Sequence, residues 1–300
     1  MGISRYPSRI SLPCVEKPYP SILDFLVQRF PMVGRCMWEK RILEGKVLDD
    51  VGATISTETP YIPQKRLFYF REVADEPLIP LQEKILFQND ELLVACKPPF
   101  LPVTPSGPYV DECLLNRLRR KTGNDNLVPL HRIDRETSGL VLFSMNKQTR
   151  GLYGRLFLAG GIEKTYEALA AVTHCPETTE ITVENRLVRG LPWFRTKVIA
   201  GAVNARSRIR LVACRDNRAH FLLYPFTGKK HQLRVHMSGL GFSILNDRCY
   251  PELLPKQADD FANPLQLIAR RIAFVDPVSG RTMEFESERR LLIQGPGGGE

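Results

Sequence analysis

Short apolar segments with strand-like patterns dominate the sequence from about residue 85 onward, and they constrain the fold more than any other feature. LLVACK at 92–97 and GLVLFS at 139–144 are continuous apolar runs, and RSRIRLVACR at 206–215 alternates polar and apolar residues. Both patterns are typical of strands. Two helical patterns, at 111–122 and 147–160, interrupt them without regular strand–helix repetition. This order favours an α+β fold with a mixed, mostly antiparallel sheet flanked by helices.

The chain is expected to divide into two units joined by a linker. Residues 18–60 contain SILDFLVQRF, a short amphipathic helix, and KVLDDVGATI, a predicted hairpin. Residues 61–84 are rich in proline and charge and are predicted to be the linker, with LFYFREV as a further strand candidate. Residues 85–293 form the larger unit, and the glycine-rich tail GPGGGE is expected to be flexible.

Composition excludes several classes of protein. The chain has 300 residues, of which 43% are hydrophobic and 25% charged, as in soluble globular proteins. It lacks a run of about 18 apolar residues, so no membrane span is predicted, and its first residues lack the apolar core of a secretory signal. The seven cysteines are scattered without a CxxC pair, which argues against a disulfide framework and a structural zinc site. We expect a cytoplasmic monomer.

Positive charge is concentrated in two segments. The net charge is +9, but residues 115–165 hold ten basic against four acidic residues, and residues 185–235 hold twelve against one. Such concentration is typical of a surface that binds a polyanion. A solvated basic surface without a partner would give the same pattern.

The densest polar cluster is HRIDRETSG at 131–139, a predicted loop that enters a buried strand. Asp134 stands between Arg132 and Arg135, whose charges favour an ionised carboxylate. Such a carboxylate in a basic cleft can attack, or stabilise, an electron-poor sugar carbon. Taken alone, the same residues are also compatible with a structural Asp–Arg pair beside a Thr/Ser turn.

Three ordered motifs give the cluster a family context. HRIDRETSGLVLF closely resembles the signature loop of the RluA family of RNA pseudouridine synthases, GIEKTYEA at 161–168 resembles its K-x-Y-x-A strand, and TGKKHQLRVH at 227–236 resembles its TGRxHQIRVH segment. LNDRCY at 245–250 is similar to a later family motif, although Asn246 and Pro251 stand where glycines are usual. The resemblance covers roughly residues 85–293.

The resemblance implies roles for individual residues. Asp134 matches the catalytic aspartate, Tyr166 the tyrosine that contacts the target base, and Arg234 the basic residue that pairs with the aspartate. Arg132 matches the arginine that in some members fills the space left by the flipped nucleotide. His131, Thr137 and Gly139 are expected to shape the loop. The residues predicted to bind RNA are Arg132, Arg135, Lys164, Lys229, Lys230 and His231.

The segment HQLRVH alternates polar and apolar residues and is predicted to be a strand. Gln232, Arg234 and His236 would then share one face, and His231 would point to the other. His231 and His236 would therefore not bind one metal together. Because phosphate-loop and dinucleotide motifs are absent from the sequence, we expect neither a nucleotide cofactor nor a metal.

Residues 18–60 resemble an S-four-like RNA-binding module, a small α/β unit of two helices and a hairpin that often precedes this catalytic domain. Ser21 stands where the first helix of such modules usually opens with an arginine. The alternative is a small accessory fold without its own binding role.

The predicted function is isomerisation of specific uridines to pseudouridine in structured RNA, ribosomal or transfer, after base flipping. Asp134 would act as a nucleophile or as a base. A non-catalytic RNA-binding or ribosome-assembly protein on the same fold is the alternative, although such a protein would not need the set of Asp134, Tyr166 and Arg234. A nucleic-acid glycosidase would need a second carboxylate to activate water. Glu136, the nearest candidate, has arginine neighbours that favour a salt bridge.

Overall fold

The computed structural model describes residues 2–292, which divide into two compact units. The first unit comprises residues up to 77 together with 106–111, and the second comprises 78–105 and the residues from 112 onward. The tail GPGGGE and the last residue of the predicted catalytic domain, 293, lie outside the described residues.

The first unit contains two helices and short strands. Its elements are β1 (Gly2–Ile3), β2 (Ser8–Ser11), α1 (Ile22–Arg29), α2 (Arg35–Leu43), β3 (Val47–Leu48), β4 (Arg66–Tyr69) and β5 (Glu72–Val73). Ser21 caps the N-terminus of α1, because its Oγ accepts a hydrogen bond from the backbone N–H of Asp24 at 3.1 Å. Strands β2, β4 and β3 form one antiparallel sheet in that order, and β1 pairs with β5.

Strands β4 and β5 lie inside the segment 61–84 that was predicted to be a linker. Leu67 of β4 is 1% exposed and packs in the same apolar cluster as Leu26 and Trp38 of the two helices. LFYFREV at 67–73, the strand candidate within that segment, contains β5 and most of β4. That the first unit is an S-four-like module stays a prediction.

The second unit contains one large sheet and three helices. Its elements are β6 (Lys84–Gln88), β7 (Leu92–Lys97), α3 (Leu114–Thr122), β8 (Val128–Pro129), β9 (Ser138–Ser144), α4 (Arg150–Leu158), β10 (Ile162–Ala171), β11 (Glu180–Arg189), β12 (Thr196–Ile199), β13 (Ala205–Arg215), β14 (Arg218–Pro225), α5 (Gln232–Gly239), β15 (Ser243–Ile244), β16 (Leu267–Val275) and β17 (Thr282–Glu286).

The large sheet is mixed and mostly antiparallel, which confirms the predicted α+β class. The strand order is β12-β11-β13-β14-β10-β16-β9-β7-β6, with β15 beside β10, β17 beside β16 and β8 beside β9. Among the strands within residues 2–292, only β16 and β9 pair in parallel, with Ala269 opposite Gly139. Gly139 has a φ of +108°, and a Cβ there would lie 2.3 Å from the carbonyl oxygen of Ala269. The polar loop therefore enters the middle of the sheet at a position that requires glycine.

The segment HQLRVH is a helix, so the predicted strand is wrong. Leu233 and Met237, four residues apart on α5, both pack in the apolar cluster that contains Ile209 and Leu223 of the sheet. Residues four apart lie on one face of a helix, so the contact of both side chains with the sheet favours a helix. The alternation of polar and apolar residues in HQLRVH was also compatible with a strand. Gln232, Arg234 and His236 consequently do not share the single face predicted for them.

One disulfide joins Cys175 and Cys214, which lie 39 residues apart. The scattered cysteines had argued against a disulfide framework. The pairing arises because β14 lies between β10 and β13 and brings the end of β10 near the end of β13. The cysteines without a disulfide are Cys14, Cys36, Cys96, Cys113 and Cys249.

Residues 2–292 contain neither a membrane-spanning helix nor a cluster of metal ligands. No helix in that range is both long and apolar enough to cross a membrane. No group of three or more histidine, cysteine or acidic side chains there is arranged to hold a metal ion.

Candidate active site

Asp134 lies in the loop between β8 and β9 and faces two basic side chains. Its Oδ2 is 3.6 Å from Arg234 Nη1, and its Oδ1 is 3.8 Å from His231 Nε2. These distances allow ion pairing but are too long for hydrogen bonds. The Asp134 side chain is 24% exposed, so the carboxylate is accessible from solvent while facing buried positive charge. The structure thus brings together the predicted pair of Asp134 and Arg234.

Arg234 is held from behind by Asp247. Its Nε and Nη2 donate to the two carboxylate oxygens of Asp247 at 2.7 and 2.6 Å. Its remaining nitrogen, Nη1, is buried without a hydrogen-bond partner and lies 3.6 Å from both Asp134 and Glu136. Burial lowers the pKa of Arg234, but Asp247, Asp134 and Glu136 outweigh burial and raise the pKa well above its usual value. A permanent charge therefore faces the loop.

The sequence did not identify Asp247 as a site residue, although it lies in the matched segment LNDRCY. Besides binding Arg234, its Oδ1 accepts the backbone N–H groups of Cys249 and Tyr250 at 2.8 and 3.1 Å. These contacts fix the carboxylate within a turn. Asp247 is thus a positioning residue, because its contact with Arg234 sets the orientation of the guanidinium.

His231 precedes α5 in a left-handed conformation, with a φ of +54°. Its Nδ1 lies 2.9 Å from the hydroxyl of Tyr250, which also accepts the backbone N–H of Thr196 at 2.7 Å. Burial lowers the pKa of His231, and the charges of Arg234 and Lys230 act in the same direction, against Asp134. The imidazole is therefore biased toward its neutral form beside the carboxylate.

Tyr166 lies on β10 between Leu223 of β14 and Ala269 of β16. The ring packs against the apolar cluster beneath α5. Burial raises the pKa of the phenol, and the charge of Asp134 raises it further. The hydroxyl, which is protonated at neutral pH in an ordinary tyrosine, is thus held further from ionisation.

Glu136, the second carboxylate of the loop, is engaged by cations. Burial raises its pKa, but Arg234 and Arg135 outweigh burial, and the net pKa is lowered. Arg135 Nη2 lies 3.1 Å from Glu136 Oε1. This agrees with the salt bridge expected from sequence and leaves Glu136 poorly suited to the role of a water-activating base.

The residues predicted to bind RNA occupy different surroundings. Arg132, Lys229 and Lys230 are exposed, whereas Lys164 and His231 are half-buried. Arg135 donates from Nη1 and Nη2 to Asp259 at 2.7 and 2.9 Å, so its guanidinium is engaged within the protein.

Lys97 is a buried support of the loop that sequence reasoning missed. Its Nζ donates to the carbonyl oxygens of Pro98, Leu101 and Arg135 at 2.8, 2.7 and 2.9 Å. Burial lowers its pKa to about 7, while Glu136 acts in the opposite direction. Three acceptors match the three N–H bonds of an ammonium group, so the geometry favours the charged form. In the sequence, Lys97 is the one charged residue of the apolar run LLVACK and stands just before Pro98 and Pro99. This position was the signal that could have identified it as a buried lysine.

His131 shapes the loop from within the protein. Its Nε2 accepts the backbone N–H of Leu142 at 3.1 Å, and its ring stacks on Phe157 with centroids 5.1 Å apart. Burial, aided by Lys164, lowers the pKa of His131 to about 3. The ring is therefore neutral and acts as an acceptor.

Comparison with known proteins identifies the family. The sequence profile of the family described as RNA pseudouridylate synthase matches residues 91–239, a range that includes Asp134, Tyr166 and Arg234. An uncharacterized RNA pseudouridine synthase of Synechocystis is 30% identical over 233 residues, which are 76% of this chain and 79% of the relative. The chain belongs to the RNA pseudouridine synthases. The dual-specificity RNA pseudouridine synthase RluA of Salmonella typhimurium is 31% identical over 208 residues, covering 67% of this chain and 91% of the relative, which indicates the RluA type.

Solved structures of the pseudouridine synthase fold agree with the architecture. The human RNA pseudouridylate synthase domain containing 1 superposes with a TM-score of 0.56 and 21% identity over 72% of this chain and 86% of that chain. At this identity the likeness supports the fold alone. Membership of the synthase family makes the chain an enzyme that forms pseudouridine in RNA, and the non-catalytic alternative is not supported.

Proposed function

We propose that this enzyme isomerises specific uridines in structured RNA, ribosomal or transfer, with Asp134 acting on the ribose of a flipped uridine. One observation carries the proposal: the accessible Asp134 carboxylate faces the buried Arg234 Nη1 at 3.6 Å, and Asp247 occupies the other guanidinium nitrogens. An ionised carboxylate beside a fixed cation, open to solvent on one side, suits attack on a sugar carbon or removal of a sugar proton.

The reaction rearranges bonds without net oxidation or hydrolysis. The bond between ribose C1′ and base N1 breaks, the base turns, a bond from C1′ to C5 forms, and the proton on C5 moves to N1. Asp134 either attacks C1′ and later leaves it, or removes the neighbouring ribose proton to give a glycal and later returns that proton. In both routes the reacting group is the Asp134 carboxylate, which faces the Arg234 guanidinium at 3.6 Å.

Tyr166 contributes to base binding in this proposal. Its ring is held in the sheet by the apolar cluster. Its phenol is protonated at neutral pH even at the ordinary pKa of tyrosine, and burial raises that pKa further. A protonated hydroxyl suits contact with the detached base and donation of a hydrogen bond to it. Proton transfer at the base carbon could be assisted by the same hydroxyl.

RNA binding is assigned to the exposed basic side chains near the loop, chiefly Arg132, Lys229 and Lys230. Arg132 would fill the space vacated by the flipped uridine, offsetting an unstacking cost of a few kcal/mol. Phosphate contacts should make affinity fall with salt. A cytoplasmic location and a monomeric state stay predictions.

Mapping of pseudouridines in total RNA tests the proposal. Cells with the wild-type protein should carry modified uridines that are absent both without the protein and with Asp134→Asn. Purified Asp134→Asn should bind RNA with nearly wild-type affinity, since the substitution removes only the negative charge of the carboxylate. Asp216→Asn, at an exposed turn, is the matched control and should behave as wild type. Substantial turnover by a well-folded Asp134→Asn protein would remove Asp134 from the catalytic role.

A further inference from the structure

The hairpin of β11 and β12 carries an exposed tryptophan at its tip. Trp193 is 64% exposed, and Leu191 beside it is 87% exposed. The tip closes through hydrogen bonds from the N–H of Gly190 to Arg195 and from the N–H of Arg195 to Pro192, both at 2.9 Å. Because the exposed indole gains no free energy from burial, the folding of the hairpin does not explain its position.

Two cations flank the indole. The Arg189 guanidinium lies 5.6 Å from the Trp193 ring centroid, and the Lys230 Nζ lies 5.4 Å from it. Arg189 also donates from Nε to the carbonyl oxygen of Trp193 at 3.2 Å. An aromatic face bordered by basic side chains is the arrangement with which proteins bind unpaired nucleotides, bases on the ring and phosphates on the cations.

The tip is fixed relative to the catalytic loop. Arg195, next to the tip, donates from Nη2 to the carbonyl oxygen of Pro251 at 2.8 Å, and its guanidinium lies 5.0 Å from the ring centroid of Tyr250. The hydroxyl of Tyr250 contacts His231, which in turn lies 3.8 Å from Asp134. Lys230, which contacts Trp193, is adjacent to His231 in the chain. These contacts place the indole at the rim of the active site.

We propose that Trp193 stacks on an unpaired base of the RNA next to the target uridine, while Arg189 and Lys230 bind the adjoining phosphates. The inference rests on the proposed function for its ligand class, RNA. A protein partner is less favoured because the flanking side chains are cations within the most basic segment of the chain. By holding a neighbouring base out of its stack, the platform would favour the flipped state of the target.

Binding of a short RNA hairpin with uridines in its loop tests the stacking. Trp193→Ala should raise Kd about tenfold, whereas Trp193→Phe, which keeps an aromatic face, should stay within about threefold of wild type. Leu191→Ala is the matched control, since it removes an exposed apolar side chain from the same tip. The same hairpin with abasic loop positions should bind wild type and Trp193→Ala alike.

Tryptophan fluorescence gives a direct readout. The chain has two tryptophans, Trp193 and the buried Trp38. RNA should quench the emission of the wild-type protein as it binds, and Trp193→Phe should lose this quenching. If Trp193→Ala binds the RNA hairpin as tightly as wild type, and RNA does not quench the wild-type emission, the stacking proposal is wrong. The exposed indole would then be assigned to contact with a protein.

Turnover distinguishes this inference from the proposed function. Pseudouridine formation is measured with the same variants on a pool of unmodified ribosomal and transfer RNA transcripts. An active wild-type enzyme whose Trp193→Ala variant binds and turns over normally contradicts the stacking alone. A wild-type protein that binds RNA through Trp193 yet forms no pseudouridine contradicts the proposed function alone.

Discussion

Asp247 binds two nitrogens of the Arg234 guanidinium, at 2.7 and 2.6 Å, and leaves Nη1 turned toward Asp134 at 3.6 Å. Arg234 is only 1% exposed, so it is not positioned to bind RNA phosphates from the surface. The arrangement makes Arg234 a fixed charge behind Asp134, the proposed catalytic carboxylate, and makes Asp247 the residue that sets the orientation of the guanidinium.

Loss of the Asp247 charge should lower turnover more than RNA affinity. Asp247→Asn keeps the side-chain volume but weakens the two charged hydrogen bonds, so Nη1 is no longer held toward Asp134. We expect kcat to fall by at least about tenfold, corresponding to about 1.4 kcal/mol, while Kd for RNA and its salt dependence stay close to wild type. Arg234→Ala is a harsher change, because it leaves buried Asp247 unpaired at a cost of about 3–5 kcal/mol of stability.

Glu167→Gln is the control for this experiment, since it weakens the part-buried ion pair with Arg270 on β16. It should lose some stability without a selective loss of kcat. If Asp247→Asn instead lowered RNA affinity and the salt slope while leaving saturated turnover intact, Arg234 would belong to the RNA-binding surface.

Stability should decline in acid because His131 is neutral in the folded protein. Its folded pKa, about 3, lies below the ordinary value of 6.5, so the unfolded chain binds a proton first. The stabilising contribution is therefore complete above pH 6.5 and is lost as pH falls toward 3, by up to about 1.4 kcal/mol per pH unit. Urea unfolding of wild type and His131→Gln at several pH values measures it. The glutamine keeps an acceptor for the backbone N–H of Leu142 and should flatten the pH dependence of the free energy of unfolding. Parallel pH curves for the two proteins would show that His131 does not cause the decline in acid.

Gly139→Ala should destabilise the protein and displace the loop that contains Asp134. The φ of +108° disfavours alanine, and its Cβ would meet the Ala269 carbonyl oxygen at 2.3 Å. We expect a loss of at least about 1–3 kcal/mol from backbone strain, seen as a lower Tm, together with reduced activity. Gly154→Ala, on α4 with no atom within 4 Å of the new Cβ, should keep or raise the Tm. If Gly139→Ala and Gly154→Ala had equal Tm values, the close approach of β9 and β16 at Gly139 would be contradicted.

Activity should survive removal of metals and nucleotides. The isomerisation transfers no electrons overall, and the sequence lacks the corresponding binding motifs. Protein dialysed against a chelator should convert uridine in RNA, itself freed of bound divalent ions but kept folded by monovalent salt, at close to the untreated rate. Recovery of activity only after addition of an ion would show that the prediction is wrong.

The sequence by itself determined the features that depend on neighbouring residues. Strand patterns such as LLVACK and GLVLFS predicted the α+β sheet, and the helical patterns at 111–122 and 147–160 became α3 and α4. The loop containing Asp134 was recognisable because its residues are contiguous. These features follow from local periodicity and short-range motifs.

Only the tertiary structure decided the features that depend on distant contacts. HQLRVH forms a helix because Leu233 and Met237 meet the same apolar cluster on the sheet, a surface that the local alternation does not reveal. Asp247 acquired its role from Arg234 on α5. Lys97 acquired its role in part from the Arg135 carbonyl oxygen, which the pairing of β7 with β9 brings near. Asp247 occupies two nitrogens of the buried Arg234 guanidinium, so only Nη1 is left to face Asp134 and Glu136. Local sequence fixes which groups are available, but packing fixes which of them meet and how strongly their charges act.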